Sequence, residues 1–122
     1  MSSTSKTLLI NLISNESTNA GKALRLGRKF LAAEWQVVLS LNIDAVKLLH
    51  PDASGLICQV AGKTMIQLLK GFQAEGGRVL VGAECLGLNG MDEEHLLEGM
   101  EIAEFPIIAE ILSRPEVRTM TW

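Results

Sequence analysis

The chain has 122 residues, 48% of them hydrophobic, with 11 Lys+Arg against 14 Asp+Glu for a formal net charge of −3. That is the length of a single domain, expected over 1–122, large enough to bury a core without disulfides or a structural metal. The mild acidity argues against nucleic acid or an anionic membrane as partner, and no apolar run reaches the ~18 residues of a spanning helix.

Residues 1–6 read as a loose leader with no signal-peptide core behind it, so cytoplasm is the expected compartment. Thr7 to Ile13 (TLLINLI) is a nearly continuous apolar run, the pattern of a strand buried on both faces. Ser14 to Asn19 supplies turn and N-cap residues. From Thr18 to Glu34 the period becomes helical, with Ala20, Ala23, Leu24, Gly27 and Leu31 on one face. Gly27 costs this helix about 1 kcal/mol against Ala and is read as permitting close approach to the sheet.

Trp35 to Leu41 is a second strand. Asn42-Ile43-Asp44 is read as the cap of a short helix over Ala45 to Leu49, stopped by His50-Pro51. Residues 52–63 are irregular. Thr64 to Glu75 is a helix with Met65, Leu68, Leu69 and Phe72 inward, ended by Gly76-Gly77. Arg78 to Val81 is a buried strand, followed by loop and short helices to Gly99, a brief strand over Glu101 to Ala103, a helix opened by Phe105-Pro106 and running through Leu112, and a terminal strand over Glu116 to Trp122. Strands alternating with helices imply an α/β, three-layer α/β/α sandwich on a mostly parallel sheet, whose sites gather at the carboxyl ends of the strands.

Gly62-Lys63-Thr64 matches only the end of a phosphate-binding loop. The Gly required five positions earlier is Ile57, and Gly55 is out of register. His50, His95, Cys58 and Cys85 lack close ligand spacing, so no metal and no cofactor are expected. Both histidines read as surface or capping residues, and Asp92-Glu93-Glu94 as a solvated helix start. Cys58 reads as a small buried hydrophobe. Cys85 follows the Arg78–Val81 strand by four residues, at the start of a helical turn over Cys85 to Asn89. Backbone N–H groups there favour a thiolate, the nucleophilic and sulfur-carrying form, while the adjacent Glu84 opposes it.

The stretch VAGKTMIQLLKGFQAEGGRVLVGAECLGLNGMDEEHLLEGMEI (60–102) resembles the small DsrE/DsrF-like proteins. The shared features are the VAGK helix start, the Gly pair before the strand, the Cys with a Gly five residues on, and the acidic LL-x-G. The Val117–Trp122 ending is similar too. The resemblance implies a three-layer domain with a sheet of about five strands, homo-oligomers such as trimers or hexamers, and in some members persulfide transfer. It also implies a Cys-x-x-Cys-like pair whose first thiol accepts sulfur. Here Gly82 stands at that first position and Cys85 matches the second.

Two readings follow. Either Cys85 is the acceptor thiol of a persulfide carrier working with a sulfur-donor or acceptor protein, a sulfurtransferase-like role, with the loops after 13, 41 and 81 shaping its pocket. Or the chain is a non-catalytic oligomeric module that binds a small ligand or a protein. The aliphatic excess, with no Tyr and 4% aromatics, fits either a dense core or subunit contacts. The short helices around 43–49 and 105–112 are candidate contacts.

Overall fold

The computed structural model describes residues 6–122. The leader expected over 1–6 lies outside them except for Lys6, whose carbonyl accepts the Gln36 N–H. The elements run β1 (Thr7–Leu12), α1 (Ser17–Ala32), β2 (Gln36–Leu41), a 3-10 segment (Ile43–Leu49), a short 3-10 turn (Pro51–Ala53), β3 (Ile57–Cys58), β4 (Lys63–Thr64) and α2 (Met65–Ala74). Then come β5 (Arg78–Val81), α3 (Ala83–Leu88), a 3-10 turn (Glu93–His95), β6 (Glu101–Ile102), α4 (Phe105–Leu112) and β7 (Val117–Thr121).

Five strands form one sheet in the order β6-β5-β2-β1-β7, and every pair in it is parallel. The expected three-layer α/β/α sandwich is therefore present. Its layers are unequal. One face carries Leu8, Ile10, Leu12, Val37, Leu39, Leu41, Val79 and Val81, which pack against α1, α2 and the 43–49 segment. The other face offers Leu9, Val38 and Leu80 mainly to α4, through Ile107, Ile108 and Ile111, with Ala103 and Val117 at the margins. The near-continuous apolar runs of β1 and β2 reflect burial from both sides.

Gly27 does allow a close approach. A Cβ there would fall 3.1 Å from the Phe72 ring of α2 and 3.3 Å from Ile10 of β1. Gly76 has φ +101, the left-handed turn expected after α2. Thr64 caps α2 through a reciprocal pair of bonds with Gln67, so the Gly62-Lys63-Thr64 stretch starts an ordinary helix rather than a phosphate loop.

Three local expectations change. The helix expected over 45–49 is a 3-10 segment that starts at Ile43, and Asn42 makes no side-chain cap. The Asn42 amide is occupied across the sheet edge instead, donating to Asn11 Oδ1 at 2.8 Å and Ser40 Oγ at 2.9 Å. The irregular 52–63 stretch contains a miniature antiparallel hairpin, Ile57–Cys58 against Lys63–Thr64, too short to leave a period in the sequence. The 43–49 face is also not free for a partner, because Ala45, Val46, Leu48 and Leu49 are all buried within this chain.

Ion pairs close the amino edge of the sheet. Arg78, the first residue of β5, makes a two-pronged contact with Glu101, the first residue of β6, at 2.8 and 3.0 Å. Arg114, just before β7, grips Glu110 at 2.9 and 2.8 Å and reaches Gln36. Arg28 of α1 does the same to Glu75 at the end of α2. In each pair the side-chain hydrogen bonds hold the glutamate below its ordinary range and push the guanidinium up. These pairs are partly exposed, so solvent screening keeps their contribution to stability small. Among the described residues no helix is long and apolar enough to cross a membrane.

Candidate functional site

The carboxyl edge of the sheet is built differently. β2 ends at Leu41, and the Asn42 N–H still bonds to the Leu12 carbonyl as if the ladder continued. The chain then reverses in one residue, Ile43, at φ +54. A β-branched side chain in the left-handed region costs about 1–3 kcal/mol. The turn points the Ile43 N–H away from the sheet and toward α3.

Cys85 receives it. The thiol is the third residue of α3, which begins one residue after β5 with Gly82 as N-cap. The helix thus starts two residues earlier than the turn expected from Cys85. The Cys85 Sγ accepts the Ile43 N–H at 3.0 Å, and the side chain is half-buried. The bond fixes the sulfur in place as the acceptor of a backbone N–H. The acidic neighbour Glu84 points to solvent as an exposed residue, so it does not crowd the sulfur from inside. Asn89, the C-cap of α3, ties the two partners together. Its amide donates to the Cys85 carbonyl at 2.8 Å and to the Ile43 carbonyl at 3.4 Å.

Gly82 has a spatial reason. A Cβ at position 82 would lie 2.7 Å from Asn42 Oδ1 and 3.3 Å from Cys85 Sγ. Asn42 cannot swing aside freely, because its amide is held by Asn11 and Ser40. The volume that a first thiol of a Cys-x-x-Cys-like pair would occupy is already taken by Asn42.

Cys58 sits elsewhere. It is 2% exposed and packs on Gly21 of α1, where a Cβ would come within 2.6 Å of its sulfur. It is the packing thiol the sequence suggests. His50 and His95 are capping residues as expected. His50 Nδ1 accepts the Asp52 N–H at 3.0 Å, and His95 Nδ1 accepts the Asp92 N–H at 3.2 Å. The fold adds a relation the sequence hides: the two rings stack, centroids 5.9 Å apart and planes within 16°. Among the described residues no three His, Cys, Asp or Glu side chains converge as a metal site would need.

The rim is apolar. Leu88 is 87% exposed, Phe105 80% and Ile43 57%, and Ile13 is exposed as well. These four follow β5, β6, β2 and β1 in turn, so the topology gathers them at one edge of the sheet. Sequence reasoning found Cys85 from its distance beyond a strand. It missed Ile43 and Asn42 as site residues, because neither a left-handed φ nor a contact spanning 42 positions leaves a local pattern.

No protein-family model matches the chain, and no curated protein matches its sequence. Solved structures do match. The crystal structure of the ychN protein from E. coli superposes with a TM-score of 0.74 at 22% sequence identity, over 97% of this chain and 99% of that one. MTH1491 from Methanobacterium thermoautotrophicum, described as a protein of unknown function, gives 0.75 at 13% identity over 96% of this chain and 99% of that one. At these identities the likeness shows the fold alone, over essentially the whole of each chain.

Proposed function

We propose that the protein carries sulfane sulfur on Cys85. The Cys85 thiolate attacks the terminal sulfur of a donor persulfide, R–S–SH. The donor S–S bond breaks, its electron pair leaves on R–S⁻, and a new S–S bond leaves Cys85–S–SH. An acceptor thiolate attacking the outer sulfur of Cys85 reverses the step. No oxidant or reductant is consumed. The observation that carries this reading is the Ile43 N–H held on Cys85 Sγ at 3.0 Å at the carboxyl edge of a parallel sheet, where such folds keep their chemistry. The strain at Ile43 supports it, since strained backbone gathers at functional sites. The resemblance to DsrE/DsrF-like proteins supports it as well.

With Gly82 in place of a first thiol, sulfur has no internal relay. It must come from one outside molecule and leave to another. The apolar rim fits that traffic as a docking surface for a sulfur-donor or acceptor protein, or for further copies of the chain as a trimer or hexamer. Phe105 and Leu112 of α4, both exposed, are the candidate contacts left after the 43–49 face is spent internally. The alternative, a non-catalytic oligomeric binding module, is favoured by the same rim and by the lack, among the described residues, of a basic side chain hydrogen-bonded to Cys85.

One experiment separates them. The protein is incubated with a persulfide donor and its intact mass is read, with peptide mapping of the product. A gain of one sulfur atom on the Cys85 peptide, lost in Cys85→Ser, is expected. No gain, or a gain retained in Cys85→Ser, leaves the binding module. A native mass of 13.2 kDa in solution would remove the oligomer.

A further inference from the structure

A cavity of about 510 Å³ opens next to Asn89, the residue whose amide donates to the Cys85 carbonyl. Its walls come from elements already engaged at the thiol. Lys47 lies four residues beyond Ile43 on the 3-10 segment, and Asn89 lies four residues beyond Cys85. Both residues line the cavity. Asn89 therefore joins the cavity wall to the residue that carries the thiol, through a hydrogen bond of 2.8 Å.

The lining has a definite chemistry. His50, Lys47 and Asp52 join Asn15, Asn89 and Leu56 around the opening. His50 Nδ1 is taken up by the Asp52 N–H at 3.0 Å and lies 3.5 Å from Asp52 Oδ2, which leaves Nε2 as the ring atom for a ligand anion. The His95 ring stacks on that of His50 with centroids 5.9 Å apart. Lys47 pairs with Asp44 at 3.2 Å, but an exposed i,i+3 pair of this kind is weak and gives way to a ligand carboxylate. The Asp52 carboxylate stands 3.5 Å from His50 Nδ1 and is 93% exposed, so it remains accessible to an ammonium group. Leu56 supplies the apolar wall. Two donors for a carboxylate, one carboxylate for an ammonium and a small apolar surface describe the end of an amino acid.

We propose that this cavity binds the amino-acid end of a low-molecular-weight persulfide, R–S–SH with R bearing ammonium and carboxylate, and presents its terminal sulfur to Cys85. This rests on the reading of Cys85 as a sulfur carrier. The transfer itself is unchanged: the new S–S bond forms at Cys85 as the donor S–S bond breaks, and the amino-acid thiolate leaves. What the cavity adds is selectivity for donors of this class over inorganic ones.

The test compares two donors on the full-length protein, cysteine persulfide and inorganic hydrodisulfide, by the rate at which Cys85 gains one sulfur. Lys47→Gln and His50→Gln should each raise the cysteine persulfide concentration giving half-maximal rate by about two- to five-fold, the worth of one partly exposed polar or ionic contact. Hydrodisulfide loading should stay unchanged. Asp52→Asn should act in the same direction by removing the ammonium partner. Lys47 and Asp52 are exposed, so these variants fold even if the His50 variant does not. Equal loss with both donors, or no loss with either, overturns the cavity assignment while the carrier reading stands. No sulfur gained from either donor by the unaltered protein overturns the carrier reading, and this inference with it.

Discussion

The two ends of the sheet are built on opposite terms. At the amino edge three arginines are matched to three glutamates, each through two hydrogen bonds. At the carboxyl edge a residue is held at φ +54, a thiol takes a backbone N–H from 42 positions away, and four large apolar side chains stay in water. The first edge is satisfied locally and gains nothing from a further partner. Each edge holds one non-glycine residue in the left-handed region, Glu34 at φ +68 before β2 and the β-branched Ile43 after it, but the second also exposes apolar surface, which is the condition of a place where something else binds. The two glycines that flank β5 sit one at each edge and make the contrast testable.

Gly77, at the amino end, should give the largest effect. A Cβ there runs into the Phe72 ring, which is fully buried and closely backed by Gly27. Gly77→Ala should cost about 3 kcal/mol by overpacking, read as a shift of the urea midpoint. Cys85 in the folded fraction should load with sulfur as before. A loss of loading without loss of stability would show that the edges are coupled and break the contrast.

Gly82, at the carboxyl end, should do the reverse. Its added Cβ meets a side-chain oxygen and the Cys85 sulfur rather than a packed ring. Gly82→Ala should cost about 1 kcal/mol yet slow both alkylation and sulfur loading of Cys85 several-fold, measured by timed mass spectrometry. Unchanged thiol kinetics would mean that the crowding at Asn42 does not bear on the sulfur.

The smallest effect concerns pH. Glu75, Glu101 and Glu110 titrate below their ordinary range when folded because Arg28, Arg78 and Arg114 hydrogen-bond to them. The unfolded chain therefore binds more protons across the acid range. This part of the stability is fully present above the ordinary glutamate range and is lost as pH falls through the depressed folded values. The thermal midpoint should be level above about pH 5 and fall below about pH 4.5. Replacing the three glutamates by glutamine should flatten that limb, and added salt should shrink it. A limb that persists unchanged in the triple variant would place the acid sensitivity outside the amino edge.

Most of the architecture was legible because strands and helices are written in local periods. The runs TLLINLI, WQVVLSL and RVLV, the helical spacing of Ala20 to Leu31, and the Gly pair after Phe72 each name their element within a few residues. Trp35 marks the limit of such reading. It falls just outside β2 and packs edge-on against Phe30, a tertiary contact that the strand-like run conceals. The hairpin at Ile57–Thr64 and the long 3-10 segment were not legible, since two-residue strands and i→i+3 turns carry no period. Of the site, only Cys85 could be read.

By itself the sequence determines a parallel sheet covered on both faces, because continuous aliphatic strands separated by amphipathic helices have no other way to bury their surface. It also separates two thiols by where they fall along the chain. Only the tertiary structure decides what each thiol meets. Cys58 meets the groove left by Gly21. Cys85 meets the Ile43 N–H and stands beside the volume that Asn42 denies to a second thiol. Those contacts join residues tens of positions apart, and they exist only because strands adjacent in the sheet bring their carboxyl ends to one edge.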